Sequence, residues 1–424
     1  MILQDYRIDL QRCSRCSLCK WLPLSQIKSC RFANACPSMV CGNFHAYSAG
    51  GKMIAALALL DGRIDYTDKL VEILYQCQMD GACDVSCKVN RDLDPLEVML
   101  ELRAKCVEEG QVLPAHMVMI ESLKSDDNTL GEPKAERGKW AEGLDVKDIT
   151  KDKADVLYFA GCRYSFDQDL RKIARDALSL LMKTGVDVGI SGKEEACCGG
   201  RAFEIGYRGE LTKYAEHNME TWKAAGVRTV VTPCSDCYGT FKFHYARLGK
   251  EMNVEVLHIT EYLDRLIKEG TLKPTKKVPM QVTYHDPCHL GRLSEPFIPW
   301  EGVERKVLGQ VIVKDPPKEY RRGTSGIYEP PRDVLRSIPG LEIVEMERIK
   351  EYAWCCGAGG GVKEAYPEFA LSTADERIEE AMVTGAEALV TSCSWCERNF
   401  RDALERSGTN IKLYDVVELL IEAL

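Results

Sequence analysis

At 424 residues, with 45% apolar and 29% charged side chains, the chain has the makeup of a globular protein long enough for two to four domains. Its net charge of −9 argues against nucleic acid or an anionic membrane surface as the main partner. The longest apolar run, Met53 to Leu60, is too short to span a bilayer, and the first residues lack the basic-then-apolar pattern of a signal peptide. A cytoplasmic, reducing location is therefore expected, where twenty cysteines read as metal ligands and not as a disulfide framework.

The first motif is Cys13-x-x-Cys16-x-x-Cys19, followed at a distance by Cys36-Pro37. It resembles the bacterial two-cluster ferredoxin motif, in which three close cysteines hold one cubane and the cysteine before proline serves the other. A modified second copy follows: Cys77, Cys83 and Cys87 keep the spacing, Asp80 stands where the second cysteine belongs, and Lys88 replaces the proline. Crossed as the motif implies, one cluster takes Cys13, Cys16, Cys19 and Cys87. The other takes Cys36, Cys77 and Cys83, with three ways to finish. Asp80 supplies the fourth ligand, Cys30 or Cys41 substitutes, or the site holds three irons. Lys52 to Leu60, Lys69 to Tyr75 and Leu96 to Val107 carry apolar residues at helical spacing, and Asp94-Pro95 reads as a helix start. Residues 1–110 are thus expected to be a helical two-cluster domain. Residues 111–153, charged and interrupted by Gly131, Pro133, Gly138 and Gly143, read as an extended linker.

The rest is a repeat. Its first copy runs Cys162, Cys197-Cys198, Cys234 and Cys237; its second runs Cys288, Cys355-Cys356, Cys393 and Cys396. Each double cysteine is followed by glycine (Gly199, Gly357), and each copy closes on Cys-x-x-Cys. Five thiolates exceed what one tetrahedral zinc needs and point to a multi-iron cluster. Val156-Leu-Tyr-Phe-Ala-Gly-Cys162 and Val282-Thr-Tyr-His-Asp-Pro-Cys288 both read as strands that deliver a cysteine. The helical segments Leu170 to Thr184, Leu211 to Ala225 and Ser372 to Thr384 alternate with such strands, so each copy is expected to be a small α/β unit with a parallel sheet. The units are placed at 154–272 and 278–424. Between Cys162 and Cys197 lie 34 residues and between Cys288 and Cys355 lie 66; the excess is an insertion at about 296–325. It is expected to cover the active face, contact a partner or shape a pocket, or else to be a plain surface loop.

The double signature is that of the cysteine-rich CCG domain. Two such domains behind a two-cluster ferredoxin-type domain resemble the catalytic subunit of heterodisulfide reductase, with C-type and B-type subunits fused as in the D-type subunit. The likeness extends over His285-Asp-Pro-Cys-His-Leu-Gly-Arg292 and Cys355-Cys-Gly-Ala-Gly-Gly-Gly361. The chain also resembles iron–sulfur subunits of glycolate and lactate oxidoreductases and of ATP-independent benzoyl-CoA reductase complexes. The resemblance implies that each set of five cysteines holds a noncubane four-iron cluster and that the two clusters face one another to split a disulfide. Soft thiolates suit iron, and Gly199 and Gly357 allow backbone N–H groups to approach cluster sulfur. His285 and His289 flank Cys288 and are candidate proton donors to a leaving thiolate. Tyr284 and Trp395 are expected to pack around the same cluster.

The implied function is that of an iron–sulfur subunit of a soluble oxidoreductase complex, partnered by flavin-containing and other iron–sulfur subunits. No glycine-rich turn leads from a strand into a phosphate-binding helix, so any flavin belongs to another chain. The alternatives are an electron relay without disulfide chemistry of its own and, in a different class, a scaffold holding zinc at one or more sites.

Overall fold

In the computed structural model, residues 2–89, 91–249, 252–295, 298, 300–309 and 311–424 are described. The N-terminal part is helical, with helices at Pro37–Gly42, Ala49–Leu60, Asp68–Tyr75, Ala82–Lys88 and Pro95–Glu108. Ser48 and Thr67 start two of them by accepting the backbone N–H of Gly51 and Leu70. Their apolar faces, including Met53, Leu57, Leu74, Met99 and Leu102, enclose a separate small core. Among the described residues, no helix is long and apolar enough to cross a membrane.

Two parallel sheets follow. The first contains β1 (Lys147–Asp148), β2 (Val156–Tyr158), β3 (Val188–Ile190), β4 (Thr229–Thr232) and β5 (Glu255–His258), in the order β1-β3-β2-β4-β5. The second is built from β6 (Met280–Tyr284), β9 (Leu341–Ile343), β10 (Ala388–Thr391) and β11 (Lys412–Asp415), in the order β11-β10-β6-β9. A small antiparallel hairpin, β7 (Val303–Val307) with β8 (Val311–Asp315), stands apart.

Setting β2 beside β6, β3 beside β9, β4 beside β10 and β5 beside β11 gives the two sheets the same strand order, with β1 as an extra edge strand on the first. The likeness extends to the helix starts. After β5, His258 accepts the N–H of Thr260 and Glu261 bonds back to His258; after β11, Asp415 and Glu418 do the same with Val417. The buried strands are short and rich in Val and Leu, as a sheet covered on both faces requires.

The region 111–153 corrects the linker expectation. It forms the helix Pro114–Asp126, a run of tight turns over Lys134–Ala141, and β1, which pairs with β3 as the edge of the first sheet. Trp140, Ala141 and Ile149 enter the main core. After the helix, the anchors Trp140 and Ile149 are too far apart to register as periodicity, which is why that part reads as irregular.

The insertion is the β7–β8 hairpin and the chain returning from it. Pro296, Phe297, Pro299 and Gln310 within it lie outside the described residues. Its side chains reach the N-terminal domain: Glu304 pairs with Arg12, Lys314 and Lys318 with Asp92, and Arg321 with Glu97. It straps the second α/β unit to the helical domain.

Trp140 packs at 5.8 Å against Tyr158 of β2. Trp140→Ala should destabilise the first α/β unit by about 3–5 kcal/mol, as large-to-small core changes do. Denaturant unfolding measures this. A loss within the ~0.5 kcal/mol typical of surface positions would mean the segment is not part of the core.

Candidate metal centre

The cysteines of both repeats sit at the carboxyl ends of the parallel strands, where open α/β sheets present their binding loops. Cys162 follows β2 and Cys234 follows β4; Cys288 follows β6 and Cys393 follows β10. The first five thiols form a chain of sulfur contacts, Cys162 to Cys197 to Cys198 to Cys237 to Cys234. The second repeats it in the same order, Cys288 to Cys355 to Cys356 to Cys396 to Cys393. In each chain the central member is drawn below the ordinary thiol value. Contact with Cys197 brings Cys198 down to about 6, and contact with Cys355 brings Cys356 down to about 6. Cys162, Cys237, Cys288 and Cys396 are pushed well above the ordinary thiol value.

Ten sulfurs in two tight groups, nine of them on buried residues, cannot all ionise without a cation among them. That donor chemistry fits an iron–sulfur cluster at each site. The surroundings are built to receive negative sulfur. Gly199 N–H points at Cys197 Sγ at 3.4 Å, and Gly357 N–H points at Cys355 Sγ at 3.3 Å. Both glycines have positive φ, 80° and 96°. Beside the first group, the buried Arg137 donates to Cys162 Sγ at 3.2 Å and to Glu195 at 3.0 Å. Arg137 comes from the segment that reads as linker, so nothing in its sequence context signals the role. Asn218 and Asn399 hold the carbonyls of Cys197 and Cys356 at 3.0 and 2.7 Å.

The two groups meet across the repeat interface. Ser394 Oγ lies 3.5 Å from Cys234 Sγ, and Ser235 Oγ donates to the Ser392 carbonyl at 3.0 Å. Between them runs a buried charged network. His289 Nδ1 is 3.4 Å from Cys288 Sγ and 3.3 Å from Asp236, while its Nε2 is 2.6 Å from Glu204. Burial alone would discharge this ring, but Asp236, the Cys288 thiol and Glu204 hold its titration well above the ordinary histidine value. Arg201 reaches back from the first repeat to Glu364 at 3.0 Å and to the Ala358 carbonyl at 2.9 Å. Trp395 lies between Arg163 and Arg201, 4.1 and 3.6 Å from its ring centre.

His285 has the opposite character. Burial, then the neighbouring Arg377, holds its titration well below the ordinary value, so the ring is neutral. Tyr284 donates to or accepts from Ser392 at 2.8 Å.

In the helical domain, Cys13, Cys16 and Cys19 lie close enough to act on one another, and Cys87 senses Cys19. Cys36, Cys77, Asp80 and Cys83 line one small cavity together with Lys52. Cys30 and Cys41 are exposed. The Asp80 carboxylate has protein partners on both oxygens: Arg292 Nη2 donates to one at 2.9 Å, and the Ala82 N–H to the other at 3.3 Å. Arg292 belongs to the second repeat and also senses Cys288 and Cys355.

This cavity abuts the second group. A Cβ on Gly359 or Gly360 would fall 2.4 Å from the Gln78 carbonyl or 2.6 Å from that of Cys77, so only glycine admits this approach. Arg103 closes the junction, donating to the carbonyls of Cys77 at 2.7 Å, Gly360 at 2.8 Å and Glu204 at 3.0 Å. Sequence alone marks none of Arg103, Arg201, Glu204 and Arg292 as a site residue. Arg292 and Arg201 follow the cysteine motifs closely, which is the one available signal.

The cysteine-rich CCG domain family matches residues 156–242 and 319–401. The D subunit of the dihydromethanophenazine:CoB–CoM heterodisulfide reductase of Methanosarcina acetivorans is 32% identical over 98% of this chain and 94% of its own length. The EtfAB:quinone oxidoreductase of Syntrophomonas wolfei is 28% identical over 83% of this chain and 47% of its own. A probable iron–sulfur-binding oxidoreductase of Bacillus subtilis is 30% identical over 89% and 50%.

Gly357→Ala should abolish the second site, because its Cβ would lie 2.2 Å from the Ala370 carbonyl at a φ of 96°. Gly385→Ala, with positive φ but open space, should cost only about 1–2 kcal/mol. Equal iron retention in the two variants would contradict the packing account.

Proposed function

The chain belongs to the family of the D-type heterodisulfide reductase subunits, and on that premise we propose that it is an iron–sulfur oxidoreductase component that delivers electrons to a disulfide. The observation that carries this is the pair of five-thiol chains in identical order, facing one another across a charged interface. Each chain holds one noncubane four-iron cluster. Cys13, Cys16, Cys19 and Cys87 hold a ferredoxin-type four-iron cluster, and Cys36, Cys77 and Cys83 hold a second ferredoxin-type cluster. The ion pair of Asp80 with Arg292 supports a three-iron cluster there over carboxylate ligation. When bound, these clusters supply one-electron storage and iron soft enough to accept sulfur.

The proposed reaction takes two electrons and two protons into a disulfide, breaks its S–S bond and releases two thiols. The residues divide the work. Arg137, Gly199 and Gly357 stabilise negative sulfur with N–H donors. His289, charged and oriented by Glu204 and Asp236, holds a proton beside Cys288 for a leaving thiolate. His285, the other histidine flanking Cys288, is neutral and a poorer proton source. The contact of Gly359 and Gly360 with the Cys77–Gln78 backbone supports electron entry through the helical domain. The donor is a flavin-containing or other iron–sulfur subunit of a cytoplasmic hetero-oligomer.

Similarity to the quinone oxidoreductase favours a second reading, in which the chain relays electrons without its own disulfide chemistry. Anaerobically loaded protein separates them. It should carry about fifteen to sixteen irons per chain without zinc, and markedly fewer irons, or stoichiometric zinc, would sink the cluster assignment. Reduced protein offered a small heterodisulfide should release both thiols. If iron is complete and no disulfide oxidises the clusters, the relay reading replaces the first.

Asp80→Cys should add about one iron per chain to the Cys36 site. An unchanged iron count, with a four-iron signature already present in the wild type, would show that the site is complete without it.

A further inference from the structure

The two halves differ at one ring beside their sulfur chains. Phe159, three residues before Cys162, occupies the place that His285 holds before Cys288. The poses coincide. Phe159 stands edge-on to Phe241 at 4.8 Å and 89°, and His285 stands edge-on to Phe400 at 4.9 Å and 89°. Phe241 and Phe400 are themselves equivalent, each seven residues after the first cysteine of its closing motif. An imidazole in the second half thus stands against its phenylalanine as a phenyl ring does in the first.

The imidazole is not spare. Arg377 Nε donates to His285 Nδ1 at 3.1 Å, and Arg377 is fixed in turn by Glu380 at 2.7 Å and the Arg348 carbonyl at 2.9 Å. Arginine has no acceptor, so Nδ1 must accept, and the neutral ring carries its proton on Nε2. The equivalent of Arg377 in the first half, eight residues before the glycine that precedes the strand, is Asn218. Nε2 is buried and has no hydrogen-bond partner among the described residues. A ring nitrogen of His285 and the Sγ atoms of Cys356 and Cys396 lie within 4.8 Å of one another. A buried N–H costs free energy when unmatched, and sulfur close to this ring is a candidate acceptor for it.

Resting on the iron–sulfur reading above, we propose that His285 Nε2–H donates a hydrogen bond to sulfur of the second cluster, raising its reduction potential. A donor at sulfur stabilises the more negative, reduced state. Phe159 gives the first site no such donor. The ring acts through the cluster and is a positioning residue; its tautomer, with Nδ1 engaged, also argues against iron ligation through Nε2.

The test compares loaded, full-length wild type, His285→Phe and His285→Gln by iron content and by redox titration followed by EPR. His285→Phe reproduces the ring of the first half and is expected to fold and keep its iron. At fixed ambient potential, the reduced-to-oxidised ratio of one component should fall about tenfold, equal to about 59 mV for a one-electron couple. The other components should not move. His285→Gln keeps an amide donor and should recover part of the ratio. An unshifted titration in both variants with full iron overturns the proposal. Loss of iron from the second site in both overturns it too, by making His285 a ligand or a structural support. A wild-type chain without iron at this site is a separate result, which removes the cluster reading itself.

Discussion

Sulfur that is buried and crowded has to meet a cation. Each repeat gathers five thiols into one connected chain inside the protein, and every thiolate added to such a chain raises the cost of the next. The remainder of the architecture follows from managing that charge. Parallel strands bring cysteines from distant sequence to one edge of each sheet. Glycines then let backbone N–H groups face the sulfur, and the buried Arg137 places its cation against the first group. The helical domain, with its own cysteines, closes on the second group through Gly359 and Gly360.

A largely buried charged network crosses the interface between the repeats. His289, Glu204, Asp236, Arg201 and Glu364 alternate in sign across it, so each buried charge has an opposite neighbour. Breaking any one of them would strand its partners, which is far more costly than an apolar substitution of both. An apolar interface would join the halves as well, yet it would place no proton near Cys288. The arrangement therefore couples the fit of the two halves to the charge held beside Cys288.

Much of this is legible in the sequence. The repeat, the strands that deliver cysteines and both five-cysteine sets follow from spacing alone, because ligand chemistry restricts residue type and short parallel strands restrict position. The insertion is visible as excess length, but its attachment is not, since Arg12 and Asp92 lie far from it in the chain. Residues 111–153 read as linker because β1 is two residues long and Trp140 and Ile149 are isolated anchors. The arginines beside the sulfur are not marked as site residues by the sequence for a related reason. A guanidinium that serves a distant site carries no local pattern, and only the fold brings Arg103, Arg137 and Arg292 to their partners.

Arg103 has a consequence for how the chain is made. Its donors are shared among carbonyls of Cys77, Glu204 and Gly360, one from each of the three parts of the protein. Domains emerging from the ribosome tend to fold in order, amino-terminal first. Here the amino-terminal domain emerges with a guanidinium of which one nitrogen, Nη1, has its partners Glu204 and Gly360 not yet synthesised. Its final packing around Cys77 waits for Gly360, 257 residues further along the chain. Maturation of the cavity lined by Cys36, Cys77 and Cys83 is thus tied to synthesis of the second repeat.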